Sequence, residues 1–414
     1  MDTSKERILA AWRGEPHDYV PFTTWSFGFQ PPKQLCWERE GQEVKHWFTK
    51  RLEHIHTLPQ PWELEDDFQR VLAWQSIGVD DILDVSVPWS VHPEVSWKDS
   101  IVAAGVLDEQ YPVIIREYDT PSGKLTHAIK QTREDLEPGW VLQPENVQLF
   151  EDFNIPRGVK HAVVTPDDVR AIKYMYQAPG PQEKEWFRER LKEVSTFAKQ
   201  HGVAVQAWSG FGMDAVIWLM GVEGAVFMAM EHPDTFRELC DTVHETDIAR
   251  TTLALETPGV DLVVRRGWYG STDFWSPKLC DQFYFPYVKD LADLAHRYGK
   301  PFGLTMSTGL QTLGQRIVNA GVDVHYFIDP VQGRITLEDA ARIFGDRTTM
   351  IGGISVVHST EKPETIRNET QLALETFGKS NRFILHPVDS LYPDTRWEGL
   401  KVMIDTWKEY FGLS

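Results

Sequence analysis

Three groups of side chains are of types that do chemistry together. His386 and Asp389 lie three residues apart with Tyr392 just beyond, and His325 and Asp329 lie four apart on an earlier segment. An imidazole beside a carboxylate can give or take a proton near neutral pH. His325, His386 and Asp389 also read as an N/N/O zinc set with one open position. Two separate hydrogen-bonded histidines are the plainer alternative. Arg265 and Arg266 are adjacent at the end of an apolar run, 260–264. Neighbouring strand residues face opposite ways, so at most one of the two serves a pocket, where it would bind a carboxylate or a developing oxyanion. An ion pair with a nearby acid is the competing reading. The third group is mainly aromatic: Trp25, Trp89, Trp208, Trp268, Tyr269 and Tyr326, with Gln206, Thr305 and Ser307. Converging rings with a few polar groups suit a flat, weakly charged ligand, although each ring is equally explained by core packing.

These residues share a position in the chain rhythm, each falling at or just past the end of an expected strand. Helices are predicted at 184–201, 232–256, 277–298, 310–320, 337–344, 363–377 and about 396–411, and apolar strands at 202–208, 260–264, 301–305, 322–327, 348–351 and 382–385. Apolar strands alternating with amphipathic helices form parallel sheets buried on both faces. Earlier strand candidates at 19–25 and 77–87 bring the count to eight. The expected fold is therefore α/β, a (β/α)8 TIM barrel, in which chemistry sits at the C-terminal strand ends. An N-terminal helix is capped by Thr3 or Ser4 and ended by Gly14, and residues 27–75 show no clear period. Residues 113–118 and 124–129 alternate around Asp119-Thr-Pro-Ser-Gly123, a β-hairpin read as part of an insertion at about 100–135 in one domain spanning 1–414. A doubly wound sheet is the alternative fold, weakened because no GxGxxG or Walker loop follows any strand.

Composition narrows the function. The chain has 414 residues, with 42 Lys and Arg against 61 Asp and Glu, for a net charge of −19. Such acidity disfavours a nucleic-acid partner. Sixteen Trp, 21 Phe and 12 Tyr exceed what the polar candidates would need as neighbours, so their placement has to decide between core and pocket. No apolar run is read as spanning a membrane, the charged first 15 residues lack a signal-peptide core, and three cysteines (Cys36, Cys240, Cys280) make no CxxC pair. The expectation is a cytoplasmic, reduced protein. Asp323-Val-His325 lacks the glycine of a DxHxxG corrinoid motif, since Ile328 stands there, and His244-Glu245 has Ile248 where HExxH needs its second histidine.

Several segments stand in a telling order: Lys5-Glu-Arg-Ile-Leu-Ala-Ala-Trp-Arg-Gly14, Asp18-Tyr-Val-Pro21, Trp275-Ser-Pro277, Phe283 and Phe285-Pro286, Gly352-Gly353, Phe383-Ile-Leu385 and Pro393-Asp-Thr395. Together they resemble the uroporphyrinogen decarboxylase superfamily, which also contains cobalamin-dependent methyltransferases. The resemblance implies the same barrel, and by analogy a homodimer. The departures are informative. The decarboxylases' arginine-rich RQAGR segment is replaced by Trp25-Ser-Phe-Gly-Phe-Gln-Pro-Pro32, their catalytic aspartate by Val87, and their late histidine by Asp389. A tetrapyrrole with eight carboxylates needs cations that this opening does not supply. The coenzyme M branch holds zinc with His-x-Cys and a later Cys; here these are Thr305, Ser307 and Asp389, and hydroxyls are poor zinc ligands. The remaining branch demethylates aryl methyl ethers or other methyl donors. The expectation is thus a methyltransferase that moves a methyl group to cob(I)amide on a separate corrinoid protein. Ether cleavage needs its leaving oxygen protonated or metal-bound, which assigns His325, His386, Asp389 and Tyr269 as candidate catalysts. Trp25, Trp89, Gln206, Trp208, Arg265, Arg266, Trp268, Thr305, Ser307, Tyr326, Asp329 and Tyr392 are then substrate-binding candidates. The alternatives are a carboxy-lyase and a non-catalytic binder of an aromatic ligand or tetrapyrrole.

Overall fold

A computed structural model describes residues 2–49, 62–133, 141–152 and 154–413. Seven parallel strands form one curled sheet: β1 (Ile82–Ser86), β6 (Ala204–Gly210), β7 (Leu262–Arg265), β8 (Phe302–Thr305), β9 (Val324–Ile328), β10 (Thr349–Ser355) and β11 (Phe383–Val388). Their order follows the chain, from β1 at one edge to β11 at the other. The intervening labels belong to a four-stranded antiparallel sheet, β2 (Ser96–Val102), β3 (Val113–Thr120), β4 (Gly123–Lys130) and β5 (Gly158–Lys160), paired in that order. The hairpin expected from the sequence is the β3–β4 pair, closed by Thr120 opposite Gly123.

The expected eighth strand at 19–25 is a shorter contact. Thr23 N–H donates to the Leu385 carbonyl, Leu385 N–H donates to that of Pro21, and Asp80 N–H donates to that of Phe22. Residues 21–23 therefore touch both edges of the sheet. Pro21 has no N–H to continue a ladder, and the N–H of Phe22 goes to the Asp80 side chain instead.

Helices cover the outer face of the sheet. The chain opens with α1 (Ser4–Arg13), where Thr3 and Glu6 form a capping box and Gly14 ends the helix at φ 71°. The helices that follow in the site region are α2 (Leu64–Ser76), α3 (Pro166–Met175), α4 (Pro181–His201), α5 (Met213–Glu231) and α6 (Pro233–Glu256). The helix expected over 277–298 is two, Pro277–Phe283 and α7 (Phe285–Arg297), split at Tyr284. Pro286 explains the break, since it has no N–H for the preceding turn and its ring restricts Phe285. Beyond it run α8 (Leu310–Asn319), α9 (Leu337–Phe344), α10 (Pro363–Phe377) and α11 (Trp397–Phe411).

α5 is apolar on nearly every side and carries no helical stripe, so periodicity does not reveal it. By length and composition it could cross a membrane, contrary to the sequence expectation, but 67% of its apolar 18-residue stretch is buried inside the fold.

Candidate functional site at the C-terminal strand ends

The register of the central strands places a polar relay inside the curled sheet. Gln206 on β6 lies beside Asp84 on β1. Tyr326 donates its hydroxyl to Gln206 Oε1 at 2.6 Å, and Gln206 Nε2 donates to Asp84 Oδ1 at 2.6 Å. Trp208 Nε1 donates to the same oxygen. Burial raises the Asp84 carboxyl to about 7, against the lowering effect of these hydrogen bonds. Above this relay Trp25 packs among rings: it stacks on Tyr326 at 5.1 Å and meets Phe327 edge-on at 4.8 Å, Trp208 at 5.1 Å and Trp268 at 6.2 Å. Trp25, Gln206, Trp208 and Tyr326, expected to line a pocket, are instead buried against one another and fill the inside of the curled sheet. They are its packed floor.

The open space lies to one side of that floor. A cavity of about 350 Å³ is bounded by Arg266, Trp268, Tyr269, Ser307, Asp389 and Tyr392, together with Asp152, Asp273, Phe274 and Thr308. The fold thus brings six expected site residues to one cavity.

Its cation is neutralised. Arg266 Nη2 grips both carboxylate oxygens of Asp152 at 2.7 and 2.8 Å, and Nε donates to Asp214 at 3.0 Å. The guanidinium also lies 4.5 Å from the Trp268 ring. Burial raises Asp214 to about 6 despite the opposing charge of Arg266. Burial also raises the Tyr269 phenol far above its usual range, with the charges of Asp152 and Asp214 adding to the effect.

On the opposite side, Tyr392 donates its hydroxyl to Asp389 Oδ1 at 2.7 Å. His386 stands just behind. Its Nε2 lies 3.2 Å from the Asp389 backbone carbonyl and its Nδ1 lies 3.0 Å from the Thr23 hydroxyl. A carbonyl only accepts, so Nε2 carries the proton and Nδ1 accepts from Thr23. His386 therefore anchors the loop that presents Asp389.

Five further expectations are corrected. His325 does not join His386. It stacks on Phe344 of α9 at 4.8 Å in the helix layer, because the pleat turns it away from Tyr326. Burial lowers its imidazole to about 3. Arg265 likewise faces outward, its guanidinium over the Tyr284 ring. Thr305 is buried, and its hydroxyl accepts from Gly267 N–H at 3.1 Å. Asp329 holds its own turn, accepting the N–H groups of Val331 and Gln332 and the Ser355 hydroxyl. Trp89 lies elsewhere again, in a separate cavity of about 570 Å³ with Trp97, Arg116, Tyr118 and Phe150.

A zinc site of the expected composition does not fit these residues. His325 is turned away, and both nitrogens of His386 are engaged. Among the described residues no three His, Cys, Asp or Glu side chains gather to hold a metal.

The uroporphyrinogen decarboxylase (URO-D) family model matches residues 150–410, well over half of the chain. The chain belongs to the uroporphyrinogen decarboxylase family. A URO-D family relative, uroporphyrinogen decarboxylase of Pseudoalteromonas translucida (strain TAC 125), is 28% identical over 189 residues, covering 44% of this chain and 51% of that protein. The chain thus matches about half the length of that curated relative. Among solved structures, a methyltransferase from Methanosarcina mazei superposes with a TM-score of 0.56 at 16% identity, covering 99% of this chain and 100% of that one. At that identity the likeness concerns the fold. Every cavity residue, from Asp152 to Tyr392, lies inside the URO-D match.

Sequence reasoning missed Asp152, Asp214, Asp84 and Thr23. Asp214 had a signal, as the lone charge in the apolar run 213–222. The others acquire partners only across distant segments.

Proposed function

We propose that this URO-D family chain is a methyltransferase that takes a methyl group from a small methylated donor at the mouth cavity. The acceptor is a reduced corrinoid on a separate carrier protein, and the reaction takes place in the cytoplasm. The corrinoid is a co-substrate, and no residue here is assigned to hold it. It supplies the electron pair that accepts the methyl group.

Charge around the cavity carries this reading. Arg266, the one guanidinium among the described lining residues, is already matched by Asp152 and Asp214, while Asp273 and Asp389 add negative charge. A substrate with many carboxylates, as porphyrinogen decarboxylation requires, meets repulsion there. The cavity volume also lies near the lower end of the small-ligand range.

The residues divide the work. Trp268, Tyr269 and Phe274 form an apolar wall that excludes water from the donor. The Arg266–Asp152–Asp214 cluster holds that wall rigid, and His386 with Thr23 fixes the loop carrying Asp389 and Tyr392. Carboxyl release from a smaller acid is the second reading, favoured by the family match, and Arg266 would then bind the acid.

Incubating the purified chain with a reduced corrinoid carrier and a panel of methoxyarenes and methylated amines tests the proposal. The expected result is the absorbance change of a methylated corrinoid with at least one donor. Carbon dioxide release from a porphyrinogen or aromatic acid, with no methylation from any donor, overturns it.

A further inference from the structure

The acids at the cavity exceed the cations in a way that discriminates between donors. With Arg266 matched by Asp152 and Asp214, the remaining carboxylates of Asp389 and Asp273 form no ion pair among the described residues. Asp329 lies near enough for the Asp389 charge to act on it, and it too has no cationic partner among them. Asp389 and Asp273 share the cavity with the rings of Trp268, Tyr269, Phe274 and Tyr392. Carboxylates beside aromatic walls are the usual surroundings of a quaternary ammonium group.

The leaving group points the same way. An ether donor needs a proton on its departing oxygen. The two phenols at the cavity are poorly placed to give one. Tyr392 already donates to Asp389, and Tyr269 is held by burial and nearby acids as a weak acid. A quaternary ammonium needs no proton. Its carbon–nitrogen bond breaks with the pair staying on nitrogen, a neutral tertiary amine departs, and the methyl carbon takes an electron pair from the reduced corrinoid.

We infer that the donor bound at this mouth is a quaternary N-methylammonium compound, held by Asp389 and its acidic neighbours against the Trp268–Tyr269–Phe274 wall. This rests on the methyl-transfer reading of the same cavity.

The test is calorimetric titration of the full chain with tetramethylammonium and with 2,2-dimethylpropanol, a neutral molecule of similar size. Tetramethylammonium is expected to bind at least tenfold more tightly. Asp389→Asn is expected to weaken it at least tenfold while changing the alcohol less than twofold. Equal affinities, or no effect of Asp389→Asn on the cation, overturn the inference. Should Asp389→Asn not fold, wild-type protein still decides: added salt must weaken the cation and not the alcohol, and salt-independent cation binding overturns the inference. In the carrier assay, methylation from methoxyarenes but from no quaternary ammonium donor overturns this inference and leaves the methyl-transfer reading standing. Acid decarboxylation alone overturns both.

Discussion

Tyr326 and Gln206, on strands three apart in the sheet, are joined by a 2.6 Å hydrogen bond that crosses the inside of its curl. Gln206 passes the contact on to Asp84, whose second oxygen, Oδ2, has no hydrogen-bond partner among the described residues. A buried carboxyl so placed favours its neutral form.

A pH-dependent stability follows from Asp84. Its folded value of about 7 lies above the ordinary 3.8, so the folded state holds this proton more tightly than the unfolded chain. Stability therefore falls as pH rises from about 4 to about 7. Asp84→Asn keeps an acceptor for Trp208 and Gln206 and removes the titration. The loss of stability between pH 5 and pH 8, read from urea midpoints, should be smaller in the variant by about 2–3 kcal/mol.

Arg266→Met should leave Asp214 as a buried carboxylate without its ion-pair partner. Breaking one side of such a pair costs about 3–5 kcal/mol at pH 8. The penalty should shrink toward pH 5, because Asp214, already raised to about 6 by burial, then takes up a proton. Thermal unfolding at the two pH values checks this, and an equal penalty at both would reject it.

His325→Leu separates a packing residue from a catalyst. Its imidazole stays neutral in the fold down to about 3 but protonates near 6.5 once unfolded, so wild-type stability drains as pH falls through that window. The leucine variant should lose stability less on going from pH 7.5 to 5 and should keep methyl transfer within about twofold. A loss of turnover of a hundredfold or more in a stably folded variant would restore His325 to the chemistry.

Floor and wall should respond differently to truncation. Trp25→Ala removes a ring buried among five others and is expected to cost about 3–5 kcal/mol of stability. Phe274→Ala, at the partly open wall, should cost less than about 1 kcal/mol and instead raise the donor KM several-fold. Denaturant melts alongside donor titrations distinguish the two.

Much of the architecture was legible in the sequence because helix and strand periods are local. Apolar strands followed by amphipathic helices announced the parallel sheet, and Asp119-Thr-Pro-Ser-Gly123 announced the β3–β4 hairpin. The helix α5 was hidden because one that is apolar on nearly every side has no stripe, and residues 19–25 read as a full strand because Pro21 interrupts only the pairing, not the composition. The strand ends that carry Arg266, Trp268, Tyr269, Ser307, Asp389 and Tyr392 are local features of the sequence, whereas their meeting at one cavity is not.

What the sequence determined by itself is the order of strands and helices and the gathering of rings with a few polar groups at the strand ends. Tertiary structure alone decided which way each side chain faces. It turned His325 to Phe344 and Tyr326 to Trp25, closed the floor with rings that composition could equally have placed around a ligand, and brought Asp152 and Asp214 to Arg266. The physical reason is that pleat direction and charge pairing depend on neighbours remote in the chain: Asp152 lies 114 residues from Arg266, and Tyr326 lies 120 from Gln206.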